Sequence, residues 1–198
     1  MHAILKKQAA LQAEADAALD ALGLDTLLRV VGNPVRVGSS ALGVMVRRDI
    51  DVTVLCEKLN RAAHVAIAQI AGELALHPRV GAVRFRNDSG FWNKTPEDYP
   101  DGLYLGITYR SENNEDWNLD IWFVDEPERQ PDLKHLRTIL PRLSTTMREI
   151  ILTIKTALAT GSFAYDKPVS SFLVYEAVVD GGVSNIVEFE NWLRRRPD

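Results

Sequence analysis

The stretch that decides the fold covers residues 35–55 and reads VRVGSSALGVMVRRDIDVTVL. Its pattern predicts a strand, a glycine turn and a second strand. Successive side chains of a strand point to opposite faces, so Asp49 and Asp51 share one face while Ile50 and Val52 share the other. The Cβ atoms of the two aspartates should lie roughly 6–7 Å apart, because a strand rises by about 3.3 Å per residue. Two carboxylates at this spacing can converge on a divalent cation.

The overall composition is that of an ordinary folded protein. The chain has 198 residues, of which 46% are hydrophobic and 25% charged, values close to the averages for globular domains. Its formal net charge is -4, with a pI of about 5.6. Because binding to long nucleic acids usually depends on a basic face, the charge argues against such a partner.

Targeting signals and cysteine chemistry add little. The N-terminal residues lack the basic start and apolar run of a secretory signal, and no apolar stretch approaches the length of a membrane span. We therefore predict a cytoplasmic location without membrane contact. Cys56 is the single cysteine, which excludes an internal disulfide and is typical of an inert packed thiol. The oligomeric state stays open, a homodimer included.

Hydrophobic periodicity predicts an α/β (α+β) fold with two regions. Helices are predicted over residues 3–22, 25–31, 60–76, 131–161 with a break at Pro141, 170–179 and 185–195, and the remaining strands over 80–86, 103–109 and 117–124. This order indicates a small mixed sheet with helices on one face (residues 1–128), followed by a C-terminal helical region (129–198). The long loop over residues 87–102 is a candidate substrate rim.

A third acid lies inside an apolar strand. Alternation places Asp120 on one face with Asn118 and Trp122, and Leu119 and Ile121 on the other. A carboxylate in such surroundings is costly unless a cation, an arginine or a metal compensates it. If the sheet brings Asp120 beside Asp49 and Asp51, the three oxygen donors suit a hard cation such as Mg²⁺.

These residues resemble the motif of the nucleotidyltransferase superfamily, which includes DNA polymerase beta and small adenylyltransferases. The resemblance lies in Gly38-Ser39, nine intervening residues, Asp49-Ile50-Asp51, and the later strand aspartate Asp120. Val37 and Val52 supply the flanking apolar positions. The resemblance covers about residues 30–125 and implies the small nucleotidyltransferase-like sheet with appended helices.

The resemblance also implies an activity. This activity is the metal-dependent transfer of a nucleoside monophosphate, AMP from ATP in our interpretation, to a hydroxyl of a small-molecule acceptor, with pyrophosphate leaving. Asp49, Asp51 and Asp120 would hold two Mg²⁺ ions, with Asp120 helping to deprotonate the acceptor. Gly38 and Ser39 would bind the triphosphate through close backbone approach and hydrogen-bond donors.

One position departs from the family pattern. Many relatives carry an arginine shortly after the Gly-Ser pair, whereas residues 40–43 here read SALG. Arg47 is our replacement candidate for binding the nucleotide, since strand alternation would place it on the face of Asp49. The alternative is that Arg47 and Arg48 are solvated charges or internal partners of the acids. Lys155 could also reach a phosphate, although a lysine flanking an apolar stripe is more often solvated.

Two further alternatives stay open. The three acids could lie on the wet face of an edge strand, or pair with Arg36, Arg47 and Arg84. On the functional side, the chain could be a protein-interaction or protein-nucleotidylating module on the same fold, with or without catalytic activity. For the aromatic residues of the long loop and the strand after it, we favour core packing or anchoring of the loop over stacking on a substrate; they are Phe91, Trp92, Tyr99 and Tyr104.

Overall fold

A computed structural model describes residues 3–161 and 169–196. The helices are α1 Ala3–Ala21, α2 Leu24–Arg29, α3 Gly38–Leu42, α4 Arg61–Ala75, α5 Pro131–Ile139, α6 Thr145–Ala159, α7 Ser171–Val179 and α8 Ile186–Arg194. The strands are β1 Gly32–Val37, β2 Asp49–Cys56, β3 Val80–Asp88, β4 Gly102–Arg110 and β5 Asp116–Val124. Short 3-10 turns cover Gly90–Trp92, Pro127–Arg129 and Leu140–Arg142. The predicted long helices and strands are confirmed, with ends that differ by at most three residues.

The five strands form one mixed sheet in the order β1-β2-β5-β4-β3. β2 and β5 are parallel, and the other neighbouring pairs are antiparallel. α4 lies between β2 and β3 along the chain, and the Asn60 side chain caps it by accepting hydrogen bonds from the amides of Ala62 and Ala63. The α/β fold class predicted from the sequence is confirmed.

One face of the sheet carries the main hydrophobic core. Alternate residues of β2, β4 and β5 pack there against α1, α2 and α4, so that helices cover this face. Ile50, Leu105 and Phe123 have no exposed surface. At about 25 cal/mol per Å² of apolar surface, burial of this face is the main force that fixes the register of the strands. The opposite face therefore receives the polar residues of the same strands.

A second hydrophobic cluster joins the C-terminal helices. It contains buried residues of α5 to α8, such as Ile151 and Phe189, together with Leu42 and Val44 from the segment between β1 and β2. This cluster attaches the C-terminal helices beside the end of the sheet where β2 begins. The division between residues 128 and 129 stays a prediction.

The segment between β1 and β2 differs from the predicted glycine turn. Residues 38–42 form the short helix α3, which Gly38 enters with a φ of 63° and Gly43 leaves with a φ of 70°. Residues 46–48 form a bend, so β2 begins only at Asp49. Arg47 therefore lies outside the strand, and the strand alternation used to place it beside Asp49 does not apply. At its other end, β1 begins at Gly32.

Within the described part of the chain, no helix is both long and apolar enough to cross a membrane.

Candidate active site

The parallel pairing of β2 with β5 brings the three predicted acids together. Asp51 lies directly opposite Asp120 in the register, and Asp49 lies opposite Asn118. Residues opposite each other on neighbouring strands point to the same face, so all three carboxylates rise from the face that α1, α2 and α4 leave open. β2 is flanked by β1 and β5, and β5 by β2 and β4. The edge-strand alternative is therefore wrong.

The acids form one wall of a cleft of about 710 Å³ between the sheet and the C-terminal helices. All six residues predicted from the sequence line it: Gly38, Ser39, Arg47, Asp49, Asp51 and Asp120. The facing wall belongs to α5, α6 and α7 and contributes Asp132, His135, Lys155, Phe172 and Tyr175 among others. The roles of the six predicted residues stay predictions, because shared lining does not by itself assign chemistry.

Negative charge accumulates in the carboxylate cluster. Burial raises the pKa of Asp51 to about 7, and the negative charges of Asp132, Asp120 and Asp49 add to this effect, while Lys155 opposes it. A cation held between the carboxylates would remove both the repulsion and the cost of burial. The donor set is thus suited to Mg²⁺.

The arginines do not neutralise this cluster in the described part of the chain. Arg36 pairs with Asp16 and also donates to the Ser40 hydroxyl. Arg48 pairs with Glu14 and Glu115, both at 3.2 Å. Arg47 and Arg84 form no ion pair within residues 3–161 and 169–196. The alternative in which Arg36, Arg47 and Arg84 pair with the three acids is therefore wrong for these residues.

The described residues do not form a ready-made metal site. Among residues 3–161 and 169–196, no three His, Cys, Asp or Glu side chains are arranged as a ready set of metal ligands. Each acid has its own surroundings: the Tyr104 hydroxyl donates to Asp120 Oδ1, and Asn118 Nδ2 donates to Asp49 Oδ1 at 3.3 Å. The metal-binding roles of Asp49, Asp51 and Asp120 stay predictions.

The structure explains why position 38 is a glycine, for a reason that the sequence did not reveal. A Cβ atom at this position would overlap the Asp51 carboxylate, and its φ of 63° is one that L side chains rarely adopt. The glycine thus leaves room for the acid itself. Ser39, the next residue, lines the cleft at the start of α3, whereas Ser40 is buried and bonded to the carbonyl of Val37.

Lys155 is a buried cation on the facing wall of the cleft. Its ammonium group donates to the carbonyl of Val44 at 2.9 Å and to the Tyr175 hydroxyl at 3.1 Å, and only 7% of the residue is exposed. Burial lowers its pKa to about 8, against the opposing attraction of Asp51. The interpretation as a solvated lysine is wrong. The signal was available, because Lys155 follows buried Ile151 by four residues and so shares the buried face of α6.

Sequence reasoning also missed an aromatic pair in the cleft wall. The rings of His135 and Phe172 stack with centroids 4.0 Å apart and planes 14° from parallel. Asp132 lies next to this pair, 4.0 Å from His135 Nδ1, and burial raises its pKa. No periodic signal marks these residues, since α5 and α7 bring them together only in the folded chain.

Among the aromatic residues of the long loop between β3 and β4, one lines the cleft and two are exposed to solvent. Tyr99 lines the cleft, as a substrate rim would. Phe91 is 99% exposed and Trp92 is 64% exposed, so the packing predicted for this pair is wrong. Tyr104, at the start of β4, is held in place by its bond to Asp120.

Comparison with solved structures gives the fold. The chain is similar to the Cid1 poly(U) polymerase bound to MgATP, with 20% identity and a TM-score of 0.60 over 85% of this chain and 49% of that one. The same enzyme with the UTP analogue UMPNPP gives 17% identity and a TM-score of 0.57 over 85% and 48%. A cytoplasmic RNA terminal U-transferase gives 20% identity and a TM-score of 0.55 over 84% and 47%.

The chain therefore has the fold of the nucleotidyltransferase superfamily, and the resemblance read from the sequence is confirmed at that level. It spans about half the length of the solved structures it matches. No protein-family model matches the chain, and no curated protein matches it.

Proposed function

We propose that this chain, which has the nucleotidyltransferase fold, transfers a nucleoside monophosphate from a nucleoside triphosphate to an acceptor hydroxyl in a metal-dependent reaction. The observation that carries the proposal is the register of β2 against β5, which sets Asp51 opposite Asp120 and leaves Asp49 beside them in an open cleft. A cluster of carboxylates at one end of a cleft, in which the pKa of Asp51 is raised, is typical of a site for cation-bound phosphates.

The acids would hold the metal ions. Asp49 and Asp51, two residues apart on β2, would bind the ion that carries the triphosphate and would share a second ion with Asp120 on β5. Two Mg²⁺ ions supply stabilisation of the attacking and leaving oxygens of an in-line displacement. Asn118 donates to Asp49 and so limits the orientations of that carboxylate.

Lys155 is the residue that best fits the triphosphate. It is a cation on the wall facing the acids, held by the Val44 carbonyl and the Tyr175 hydroxyl, so its ammonium group keeps one further donor for a phosphate oxygen. A phosphate would also favour the protonated form of a lysine whose pKa is about 8. Arg47 lines the same cleft and makes no hydrogen bond or ion pair to the described residues, so it is free to add a second cation.

The aromatic pair of His135 and Phe172 suits the nucleobase. Phe172 is 37% exposed, so one part of its surface is open to the cleft while His135 covers another. A base stacks on such a surface with a free energy of about 1–3 kcal/mol, and any base can do so because each has a π-face. Our proposed nucleotide is ATP, and the Cid1 poly(U) polymerase, which shares this fold, has been solved with MgATP, MgGTP and a UTP analogue.

The reaction follows from this placement. The acceptor hydroxyl would approach the α-phosphorus from the side of Asp120, which takes the hydroxyl proton. A bond forms between the acceptor oxygen and the α-phosphorus as the bond to the bridging oxygen breaks, and pyrophosphate leaves. A small-molecule acceptor agrees with the net charge of -4, which offers little attraction to a polyanion. A cytoplasmic location remains a prediction.

The test incubates the protein with Mg²⁺, each α-³²P-labelled nucleoside triphosphate and a panel of acceptors. The panel contains hydroxyl-bearing small molecules, an RNA oligonucleotide and a mixture of proteins, so that the protein-modifying alternative is measured in the same assay. We expect Mg²⁺-dependent label transfer to a small molecule together with pyrophosphate release, and loss of both in Asp49→Ala and Asp51→Ala.

Nucleotide binding provides the second readout. Tight ATP binding that neither Asp49→Ala nor Asp51→Ala changes would contradict the proposal. A copurifying protein partner, together with no Mg²⁺-dependent binding at millimolar nucleotide, would favour the interaction module. Label appearing on a protein would show that the proposed small-molecule acceptor is wrong, but it would still support nucleotidyl transfer as the reaction.

A further inference from the structure

Asp120 accepts a hydrogen bond from the hydroxyl of Tyr104, and among the described residues neither Asp49 nor Asp51 accepts one from a tyrosine. Tyr104 lies on β4, two residues before Gly106, and Gly106 is the residue directly opposite Asp120. Tyr104 is therefore the diagonal neighbour of Asp120, at a distance that a long aromatic side chain can span. Its hydroxyl donates to Asp120 Oδ1 across the position of the glycine.

The missing side chain at Gly106 makes this contact possible. A Cβ atom built there would lie 2.5 Å from the Tyr104 hydroxyl oxygen and 3.0 Å from its Cζ atom. Gly106 has an ordinary strand conformation, so backbone geometry does not demand a glycine at this position. The residue type is explained by the tyrosine lying over it.

The tyrosine ring is itself held from two sides. The Trp122 ring lies with its centroid 5.1 Å away, tilted by 49°, and the Arg86 guanidinium lies 4.6 Å from the centre of the tyrosine ring. Arg86 in turn pairs with Asp88 at 2.6 Å. Aromatic and cation–π contacts of this kind restrict the ring, and so the hydroxyl reaches Asp120 from a fixed direction.

We propose that Tyr104 is a positioning residue for Asp120: by binding Oδ1 it turns Oδ2 toward the site shared with Asp51. The inference rests on the proposed function, since it gives Asp120 the metal-binding role. Asp49 receives similar support from Asn118, while Asp51 is confined by the close approach of Gly38. Removing a hydrogen-bond partner of a metal ligand typically lowers metal affinity or activity by about 10- to 100-fold.

The test compares Tyr104→Phe with Tyr109→Phe. Both variants lose one hydroxyl from β4, but Tyr109 is buried on the opposite face, in contact with His77. We expect Tyr104→Phe to lower kcat by about tenfold, with KM for ATP unchanged, because Asp49, Asp51 and Lys155 still bind the nucleotide. Tyr109→Phe should leave both constants near those of the wild-type protein.

Metal binding gives a readout that does not depend on turnover. Isothermal titration calorimetry with Mn²⁺ and a non-hydrolysable ATP analogue should show about tenfold weaker binding at the second site in Tyr104→Phe, and loss of that site in Asp120→Asn. Gly106→Ala should reproduce Tyr104→Phe, because the added methyl group displaces the hydroxyl. The melting temperature of each variant reports whether it remains folded.

Three results would overturn the inference. Unchanged kcat and Mn²⁺ affinity in Tyr104→Phe would make the contact merely structural, and a raised kcat would show that the hydroxyl competes with the metal. In both cases the proposed function survives if Asp49→Ala still abolishes transfer. If the wild-type protein binds no Mn²⁺ with the nucleotide, the proposed function fails and this inference fails with it.

Discussion

The two walls of the cleft differ in charge and in origin. The sheet wall bears Asp49, Asp51 and Asp120, held at adjacent positions by main-chain pairing between β2 and β5. The helical wall bears Lys155 and the His135–Phe172 pair, held by side-chain packing between α5, α6 and α7. The helical wall pairs the cation Lys155 with the acid Asp132, whereas the three residues named on the sheet wall are all acids. This difference suits a substrate with distinct parts, so the sheet wall would handle the chemistry and the helical wall the nucleotide.

The first prediction tests the catalytic role of the sheet wall by removing its negative charges one at a time. Asp49→Asn, Asp51→Asn and Asp120→Asn should each lower turnover by about a thousandfold, because each removes a metal ligand whose charge stabilisation is worth several kcal/mol. Steady-state pyrophosphate release measures this effect. Asp20→Asn, on the exposed side of α1, is the control and should leave turnover unchanged. Turnover within about tenfold of wild type in all three variants would remove the catalytic role from this wall.

The second prediction removes the cation from the helical wall. Lys155→Met should raise KM for the nucleoside triphosphate by about 30-fold, since a hydrogen bond to a charged group contributes about 1.5–3 kcal/mol. The effect on kcat should be smaller. Tyr175→Phe is the matched variant, because it removes one partner of Lys155 and keeps the charge. If KM is the same in Lys155→Met and wild type, Lys155 only supports the packing around Val44.

The third prediction concerns the aromatic part of the helical wall. Phe172→Ala should raise the Kd for ATP by about tenfold, which corresponds to the loss of one base-stacking contact. Phe91→Ala is the control: that side chain is almost fully exposed on the long loop and does not line the cleft. Fluorescence titration with a labelled ATP analogue measures both. Equal affinities for the two variants would place the base elsewhere.

The fourth prediction is a dependence of stability on pH that arises at Asp51, on the sheet wall. Burial raises the pKa of Asp51 to about 7 in the folded chain, from an ordinary value of 3.8. A raised folded-state pKa gives stability that is present below about pH 4 and is lost as the pH rises through 7. Lys155, with a pKa of about 8, remains protonated in this window.

Thermal unfolding without metal tests the fourth prediction. Between pH 4 and 7 the free energy of unfolding of the wild-type protein should fall by about 1–2 kcal/mol more than that of Asp51→Asn, which corresponds to about 5 °C in Tm. This figure is reduced from the full effect of the pKa change because solvent in the open cleft screens the charge. Asp20→Asn should follow the wild-type curve. Parallel stability curves for the wild type and Asp51→Asn would show that folding does not raise the pKa of Asp51.

The same contrast explains which parts could be predicted. Strand alternation is a local property, so the shared face of Asp49 and Asp51 and the isolated acid at Asp120 were readable from single segments. Helical periodicity placed the long helices for the same reason. The short helix α3 was missed because five residues carry too little periodic signal, and Arg47 was misplaced by extending β2 into the bend that precedes it.

By itself, the sequence determined the α/β class, the acid pairing within β2 and the resemblance to nucleotidyltransferases, since each depends on residues close together in the chain. Tertiary structure alone decided the helical wall. Lys155 meets the Val44 carbonyl across 111 positions, and Phe172 meets His135 only when α7 packs beside α5. It also decided the reach of Tyr104 over Gly106. Such contacts depend on how elements pack, and no local pattern of polarity records which distant side chains will face each other.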